Sequence, residues 1–159
     1  MINKLPNSKN CFACGMENPI GLKLQFYADP AVENGIVGEY SVPQVYEGYP
    51  GIVHGGVIST IMDEAVSRVF MLHDHNRFMY TARLTTKYRK HVPVGQPLRI
   101  TGVAVKDRGR VAEARAAIFD ARGELLAEGE ALMVALPPED LTDVNLNELG
   151  WRVYADGDA

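Results

Sequence analysis

A His-Gly-Gly run followed by an acid is the part of the sequence best suited to chemistry. His54, Gly55 and Gly56 follow a loop rich in turn formers, and Asp63 lies seven residues after Gly56. Two glycines at a helix start leave backbone N–H groups unobstructed, and the helix dipole adds positive potential there. Such amides suit a carbonyl oxygen that gains negative charge. A carboxylate two turns further lies on the same side of the helix, so the pattern offers the oxyanion site and the base or nucleophile that acyl transfer needs.

The same residues also have a structural interpretation. A Gly-Gly pair before a helix is compatible with close packing against a strand, and an enclosed Asp63 is compatible with a hydrogen-bond acceptor of the fold. Glu64 points about 100° around the helix from Asp63 and lies four residues before Arg68, so we expect an i,i+4 ion pair. Spacing alone leaves the catalytic and the structural interpretations open.

The residues that follow the glycines predict one enclosed helix over 57–72. Apolar residues recur there at spacings of three and four and form a wide apolar face; they are Ile58, Ile61, Met62, Ala65, Val69 and Leu72. A narrower stripe at the same spacings is small or polar and consists of Gly56, Thr60, Asp63 and Ser67. A surface helix would carry a broad charged face. We therefore expect a largely enclosed helix in which this polar stripe, called the wet seam below, is accessible to water and contains Asp63.

The rest of the chain predicts strands. Leu22, Leu24 and Phe26 alternate with polar residues, the pattern of a half-buried strand, and residues 36–42 form a second strand. Four further strands are predicted over residues 78–87, 98–106, 110–120 and 125–136. This order predicts an α+β fold in which an antiparallel β-sheet wraps around one long central helix. Open sheet edges make a dimer formed by edge pairing a reasonable expectation.

Length and composition indicate one globular domain. The 159 residues divide into a predicted domain over 1–136 and a tail over 137–159 that is able to form a short amphipathic helix. The net charge of -4 argues against a nucleic-acid partner. No apolar run is long enough for a bilayer, and residues 1–10 have no apolar core of a secretory signal. We expect a cytoplasmic protein with no membrane partner.

Cys11 and Cys14 form a CxxC motif. A structural zinc site needs four ligands, and no second CxxC or close His pair follows. A redox pair of the oxidoreductase type precedes a helix, whereas Gly15 and the residues after it lead towards a strand. We interpret the motif as a structural knuckle with two free thiols and expect no metal; metal or redox use of the two cysteines is the alternative.

The run from His54 to Asp63 resembles the HGG-(x)6-D signature of hotdog thioesterases of the phenylacetyl-CoA type. Residues 46–63, 81–84 and 88–93 are similar to the branch that contains the mammalian long-chain acyl-CoA thioesterases, and residues 11–22 to its bacterial members. The resemblance covers residues 11–136. It implies a hotdog fold, hydrolysis of an acyl-CoA substrate without a cofactor, and a homodimer or a dimer of dimers.

The resemblance also implies roles for four residues. Asp63 matches the acid that acts as nucleophile or as general base for water. Gly55 matches the residue whose backbone N–H polarises the thioester carbonyl, and His54 before it either orients the loop or takes part directly. Thr81 matches a Ser or Thr that the partner subunit contributes to place water or assist the acid; the alternative is an ordinary strand threonine.

Further residues are expected to meet the substrate. Gly56 and Thr60 belong to the wet seam beside the motif. The basic residues Lys87, Arg89, Lys90 and Arg110 match positions where relatives meet the phosphates of coenzyme A; a solvated strand face is the alternative for them.

One position departs from the family pattern. Many relatives have Asn or Gln six residues before the histidine, whereas this chain has Gly48 there, with Glu47 beside it. Either the site works without that amide or Glu47 replaces it.

Two other functions remain open from sequence. A hotdog enoyl-CoA hydratase or dehydratase normally pairs a loop His with a helix acid at a wider spacing than His54 to Asp63. The domain is also compatible with a non-catalytic acyl-CoA-binding module. The sequence does not determine the acyl chain, the role of Asp63 as nucleophile or base, or dimer against tetramer.

Overall fold

In the computed structural model, which describes residues 3–157, one α-helix packs against a six-stranded antiparallel sheet. The helix α1 spans Gly55–Arg68, and the strands are β1 (Tyr27–Ala28), β2 (Gly35–Tyr40), β3 (Met79–Tyr88), β4 (Leu98–Asp107), β5 (Val111–Asp120) and β6 (Leu125–Ala135). Short 3₁₀ turns occupy Gln44–Tyr46, Val69–Met71 and Pro138–Leu141. Residues 1–2 and 158–159, the outer ends of the predicted domain and tail, lie outside the described residues.

The sheet order is β1-β2-β4-β5-β6-β3, and every neighbouring pair is antiparallel. Helix α1 joins β2, near one edge, to β3 at the other edge, and it contacts β3, β4, β5 and β6. The chain therefore crosses one face of the sheet as a helix. This arrangement confirms the predicted α+β fold with one central helix. No helix within residues 3–157 has the length and apolar character needed to cross a membrane.

The first predicted strand is the largest departure from the sequence prediction. Leu22, Leu24 and Phe26 are buried, as their alternation predicts. Regular pairing begins only at Tyr27, because Lys23 has a positive φ of 56° that interrupts the extended backbone. The amides of Leu22 and Leu24 instead bond to carbonyls of residues 12 and 13, at 2.8 and 2.9 Å. The segment is therefore held by the cysteine knuckle.

The apolar face of α1 forms the centre of the core. Ile61, Met62 and Ala65 are fully buried against the sheet. The helix approaches β4 closely because Gly102 has no side chain: a Cβ there would lie 3.0 Å from the Ala65 carbonyl oxygen. Small residues on β5 and β6 extend the same surface; they are Ala114, Ala116, Gly129 and Ala131. The packing fixes the rotation of α1, and with it the direction of its polar seam.

The C-terminal half of α1 carries a buried ion pair. Arg68 contacts the Glu64 carboxylate at 2.5 Å, which confirms the predicted i,i+4 pair. Its guanidinium also donates to the Pro6 carbonyl at 2.5 Å and lies 4.9 Å from the Trp151 ring. Burial disfavours the charged form of Arg68, but the Glu64 carboxylate outweighs it and keeps the pKa of Arg68 above its usual value. The N-terminal segment and the tail thus meet around this pair.

We expect the Ile61→Ala variant to lower the free energy of unfolding by about 2 to 5 kcal/mol, because it opens a cavity between α1 and the sheet. Urea denaturation followed by circular dichroism measures the change. The matched control is Val45→Ala, whose side chain is 83% exposed and which should change stability by about 0.5 kcal/mol or less. Equal losses in the two variants would contradict the assigned core.

Candidate active site

His54 organises the N-terminus of α1. Its backbone is extended (φ -58°, ψ 134°), and its Nδ1 accepts the Gly56 N–H at 2.9 Å. Its carbonyl accepts the N–H groups of Val57 and Ile58 at 2.9 and 3.1 Å. Within the described residues 3–157, no acceptor takes the Gly55 N–H. His54 therefore satisfies three first-turn amides and leaves one, at Gly55, for a ligand.

The loop before the helix explains the departure at Gly48. A Cβ at Gly48 would lie 3.1 Å from the Cα of His54, so a side chain at this position requires the His54 backbone to shift by a few tenths of an ångström. The neighbouring Glu47 carboxylate accepts the Gly51 N–H at 2.9 Å. Glu47 therefore stabilises the turn that leads into His54, and its contact is with the loop.

Asp63 is half-buried in the middle of α1, and its carboxylate is held by a strand. The Thr81 hydroxyl of β3 donates to Asp63 Oδ1 at 2.5 Å, and the Met133 sulfur lies 3.6 Å from the same hydroxyl. Thr81 and Asp63 belong to one chain. Within one chain the threonine beside the acid is therefore its own Thr81, and a contribution of Thr81 from a partner subunit stays a prediction.

A β-bulge aims Thr81 at the helix. The register between β3 and β6 shifts between Thr81 and Arg83, so that Ala82 is an extra residue. Alternate residues of a strand face the same side, and without the bulge Thr81 would face away from Thr86 and Tyr88. The extra residue turns Thr81 to their side, towards α1.

Tyr88 and Ser59 complete the contact between β3 and the helix. The Tyr88 hydroxyl lies 2.8 Å from Ser59 Oγ and donates to the Gly55 carbonyl at 3.1 Å. Ser59 also donates to Thr86 Oγ1 at 3.4 Å. The sequence analysis missed Ser59 and Tyr88 as site residues. The signal for them was the run of hydroxyl residues at alternate positions of β3.

Gly56 and Thr60, which the sequence predicts to meet the substrate, have their hydrogen-bonding groups engaged within the helix and its cap. The Thr60 hydroxyl donates back to the Gly56 carbonyl at 2.9 Å, so it is engaged with its own helix. Gly56 is exposed, but its N–H is taken by His54. Neither contact offers a free hydrogen to a carbonyl oxygen.

One helix separates Gly55 from Asp63 by more than a carbonyl group spans. The eight-residue interval corresponds to about 12 Å along the helix axis. The Asp63 side chain tilts towards the helix N-terminus, which shortens the distance to Gly55 by roughly 3 Å. When a carbonyl group lies between a donating amide and an attacking oxygen, the amide nitrogen and the attacking oxygen are about 7 Å apart at most. The sequence pattern predicts both groups against one carbonyl, and the approximate helical rise argues against that arrangement within a single chain.

The basic residues fall into two groups. Arg89 contacts Glu128 at 2.5 Å, and Lys90 forms an ion pair with Glu124; both lie with Lys87 at the end of β3, close to the helix N-terminus. Arg110 lies at the opposite end of the sheet, where its carbonyl accepts the Ala135 N–H. The two groups are about 23 to 30 Å apart along the strands. A single chain does not unite the four residues in one patch.

A family model described as the thioesterase superfamily matches residues 50–127. The match contains the His54-Gly55-Gly56 run, Asp63 and Thr81, and it extends from the loop before α1 through β3, β4 and β5 to the start of β6. Over these residues the chain is therefore similar to the thioesterase superfamily, and its sheet and central helix form the hotdog fold. No curated protein matches the sequence of this chain.

Solved structures share the hotdog fold. A thioesterase superfamily protein is 27% identical with a TM-score of 0.67; the match covers 78% of this chain and 59% of that protein, so this chain spans well under two thirds of its length. Zebrafish thioesterase superfamily member 2 is 18% identical with a TM-score of 0.66, covering 78% of this chain and 90% of that one. A Streptococcus mutans UA159 protein bound to acetyl CoA is 18% identical with a TM-score of 0.65, covering 76% and 94%.

We expect His54→Ala to destabilise the domain by about 1 kcal/mol, because the Gly56 amide loses its acceptor, and His54→Asn to retain most of that stability because Asn caps helices well. Urea unfolding of the two variants measures the difference. Equal destabilisation by Asn and Ala would contradict the capping role.

Proposed function

We propose that this domain hydrolyses acyl-CoA thioesters to a free acid and coenzyme A. The unpaired Gly55 N–H at the start of α1 is the observation that carries the proposal. It is supported by the acid of the same signature, Asp63, whose carboxylate is oriented by Thr81. The acetyl CoA bound to the Streptococcus mutans relative supports coenzyme A as the carrier of the acyl group.

Hydrolysis then proceeds through a tetrahedral intermediate. The thioester oxygen accepts the Gly55 N–H, where the helix dipole stabilises its growing negative charge. The Asp63 carboxylate either attacks the carbonyl carbon or takes a proton from an attacking water. Thr81 binds Oδ1 and so orients the second oxygen of the carboxylate for that step. The C–S bond breaks, the thiolate of coenzyme A leaves, and one water is consumed overall.

The length of the helix requires that two chains build each site. Since Gly55 and Asp63 of one helix lie too far apart for one carbonyl, the acid must face the Gly55 amide of a partner subunit. A two-fold symmetric dimer with antiparallel helices side by side meets this requirement and forms two equal sites.

Strand β3 provides the edge for that dimer. It is the terminal strand of the sheet, it has ten residues, and it accompanies α1 from Asp63, beside Thr81, to Gly55, beside Tyr88. If two such edges pair in antiparallel fashion, the start of one strand meets the end of the other. Asp63 of one chain then approaches Gly55 of the partner subunit.

The same pairing gathers the basic residues. Lys87, Arg89 and Lys90 lie at the end of β3, and Arg110 lies beside its start. Antiparallel pairing brings the start of one β3 next to the end of the other, so the two groups combine beside the Gly55 amide. The phosphates of coenzyme A bind there in the proposed complex, which leaves the acyl chain to follow the seam along α1.

We expect Asp63→Asn to lower kcat/KM by about 10³-fold or more, because Asn neither attacks nor accepts a proton. The side chain retains its size and can still accept the Thr81 bond, so unfolding should be unchanged within about 0.5 kcal/mol. Release of free coenzyme A from a panel of aliphatic and aromatic acyl-CoA esters measures the activity. The matched control is the exposed Asp143→Asn. Full hydrolysis by Asp63→Asn would refute the proposal. Hydration of crotonyl-CoA by the wild type without thiol release would instead indicate an enoyl-CoA hydratase.

We expect Gly55→Pro to lower kcat by about 10² to 10³-fold, since proline removes the one free amide hydrogen. Proline is tolerated at the first helical position, and the extended backbone of His54 suits a following proline. Gly55→Ala is the control: it keeps the N–H, and its Cβ would meet the Tyr88 ring at an ordinary 3.6 Å. Equal losses in the two variants would contradict the amide's role.

The Gly55→Pro and Asp63→Asn variants also test the two-chain site. Co-expressed at equal levels, they should regain about a quarter of wild-type activity, because half of the dimers are hybrids with one intact site each. Hybrids without any recovered activity would show that both groups act within one chain.

A further inference from the structure

The cysteine knuckle lies against a face of α1 that the thioester site does not use. The sulfur atoms of Cys11 and Cys14 and a carboxylate oxygen of Glu64 all lie within 4.8 Å of one another. Both cysteines are free thiols. Glu64 follows Asp63 in sequence but points to the opposite side of the seam, into the contact with the N-terminal segment. Two thiols and one buried acid are therefore brought together by residues far apart in the chain.

The two thiols differ in their access to solvent. Cys11 is half-buried, and its sulfur accepts the Cys14 N–H at 3.4 Å. Cys14 is buried, with 3% of its surface exposed, and its sulfur lies 3.6 Å from the Ser8 hydroxyl. The outer cysteine is thus the more accessible of the two, and the inner one is enclosed by protein groups.

We propose that Cys11 and Cys14 form a dithiol site that reduces hydroperoxides and closes to an intramolecular disulfide. Cys11 is the attacking thiolate, Cys14 is the resolving thiol, and Glu64 accepts the proton that Cys14 gives up. This site is independent of the thioesterase chemistry proposed above.

The environment favours this division of roles. The hydrogen bond from the Cys14 thiol lowers the pKa of Cys11 to about 6, and backbone N–H groups of the knuckle add to the effect. The same bond and burial raise the pKa of Cys14 well above its usual value. At neutral pH Cys11 is therefore mostly thiolate and reactive, while Cys14 keeps its proton until it is needed.

Glu64 is positioned to take that proton. Arg68 donates to Oε1 of Glu64 through Nε at 2.7 Å and lies within 2.5 Å through a second nitrogen. Arg68 thus offsets the cost of burying the Glu64 carboxylate, and a carboxylate oxygen within 4.8 Å of the Cys14 sulfur is close enough to serve as a general base.

The reaction balances with hydrogen peroxide as the oxidant. The Cys11 thiolate attacks one peroxide oxygen, the O–O bond breaks, and the departing oxygen takes a proton to leave as water, with a sulfenic acid on Cys11. Cys14 then loses its proton to Glu64 and attacks the Cys11 sulfur. The S–S bond forms, and the hydroxyl of the sulfenic acid leaves as a second water with that proton. Two thiols are oxidised by two electrons, and the peroxide is reduced.

A metal ion is the competing occupant of the same cluster. The three side chains offer three ligands rather than the four of a closed structural zinc site. In addition, the Arg68 cation already occupies Oε1 of the carboxylate ligand. These two observations favour the dithiol over the metal.

The test uses the full-length protein, reduced and freed of reductant, with one equivalent of hydrogen peroxide. We expect loss of both thiols and a mass decrease of about 2 Da within one chain, reversed by dithiothreitol. Cys11 should react about tenfold or more faster than free cysteine at neutral pH. Cys14→Ser should stop at a sulfenic acid that dimedone labels, and Cys11→Ser should slow oxidation of the remaining thiol about tenfold or more.

Two further variants separate the roles. Glu64→Gln should form the sulfenic acid at least as fast as the wild type, because the Glu64 charge raises the pKa of Cys11, but accumulate it before the disulfide closes; its fold is checked by circular dichroism. Asp63→Asn should oxidise like the wild type, so a failed thioesterase assay does not affect this result. A zinc ion bound one to one in the purified protein, a disulfide between two chains, or a Cys11 no faster than free cysteine would overturn the proposal.

Discussion

Helix α1 packs its apolar face against the sheet, and the positions of the functional groups follow from that contact. Gly102 and the small residues of β5 and β6 let the helix lie close to the strands, which leaves little freedom for rotation about its axis. With the apolar face fixed, Asp63 must point along the seam beside β3, and Glu64 must point towards the N-terminal segment. One helix therefore serves a packed core and two separate polar environments.

The polar environments are built by different means. On the seam, a β-bulge at Ala82 turns Thr81 towards Asp63, and the strand then continues with hydroxyl side chains that follow the helix to its start. On the other side, the buried pair of Glu64 and Arg68 ties α1 to the N-terminal segment and to Trp151 in the tail. The first arrangement leaves acceptor capacity for a ligand, whereas in the second Arg68 balances the Glu64 charge through one carboxylate oxygen.

The start of the helix shows how a reactive amide is kept available. A helix N-terminus has several unpaired N–H groups, which a protein normally satisfies with a cap. His54 satisfies three of them with one carbonyl and one ring nitrogen. The Gly55 amide remains, in a place where Tyr88 fixes the carbonyl of the same residue. The loop thus stabilises the start of the helix and leaves the Gly55 N–H as a donor for a ligand.

The sequence by itself determined the fold class, the approximate boundaries of the helix and of every strand but the first, and the residues of the signature. These features depend on local periodicity and on spacing within one segment, and both are visible in the chain. It did not determine the bulge at Ala82, the placement of Thr81 on the same chain as Asp63, or the contact of Cys11 and Cys14 with Glu64. Each of these joins residues distant in sequence, and only the packing of α1 between the sheet and the N-terminal segment brings them together.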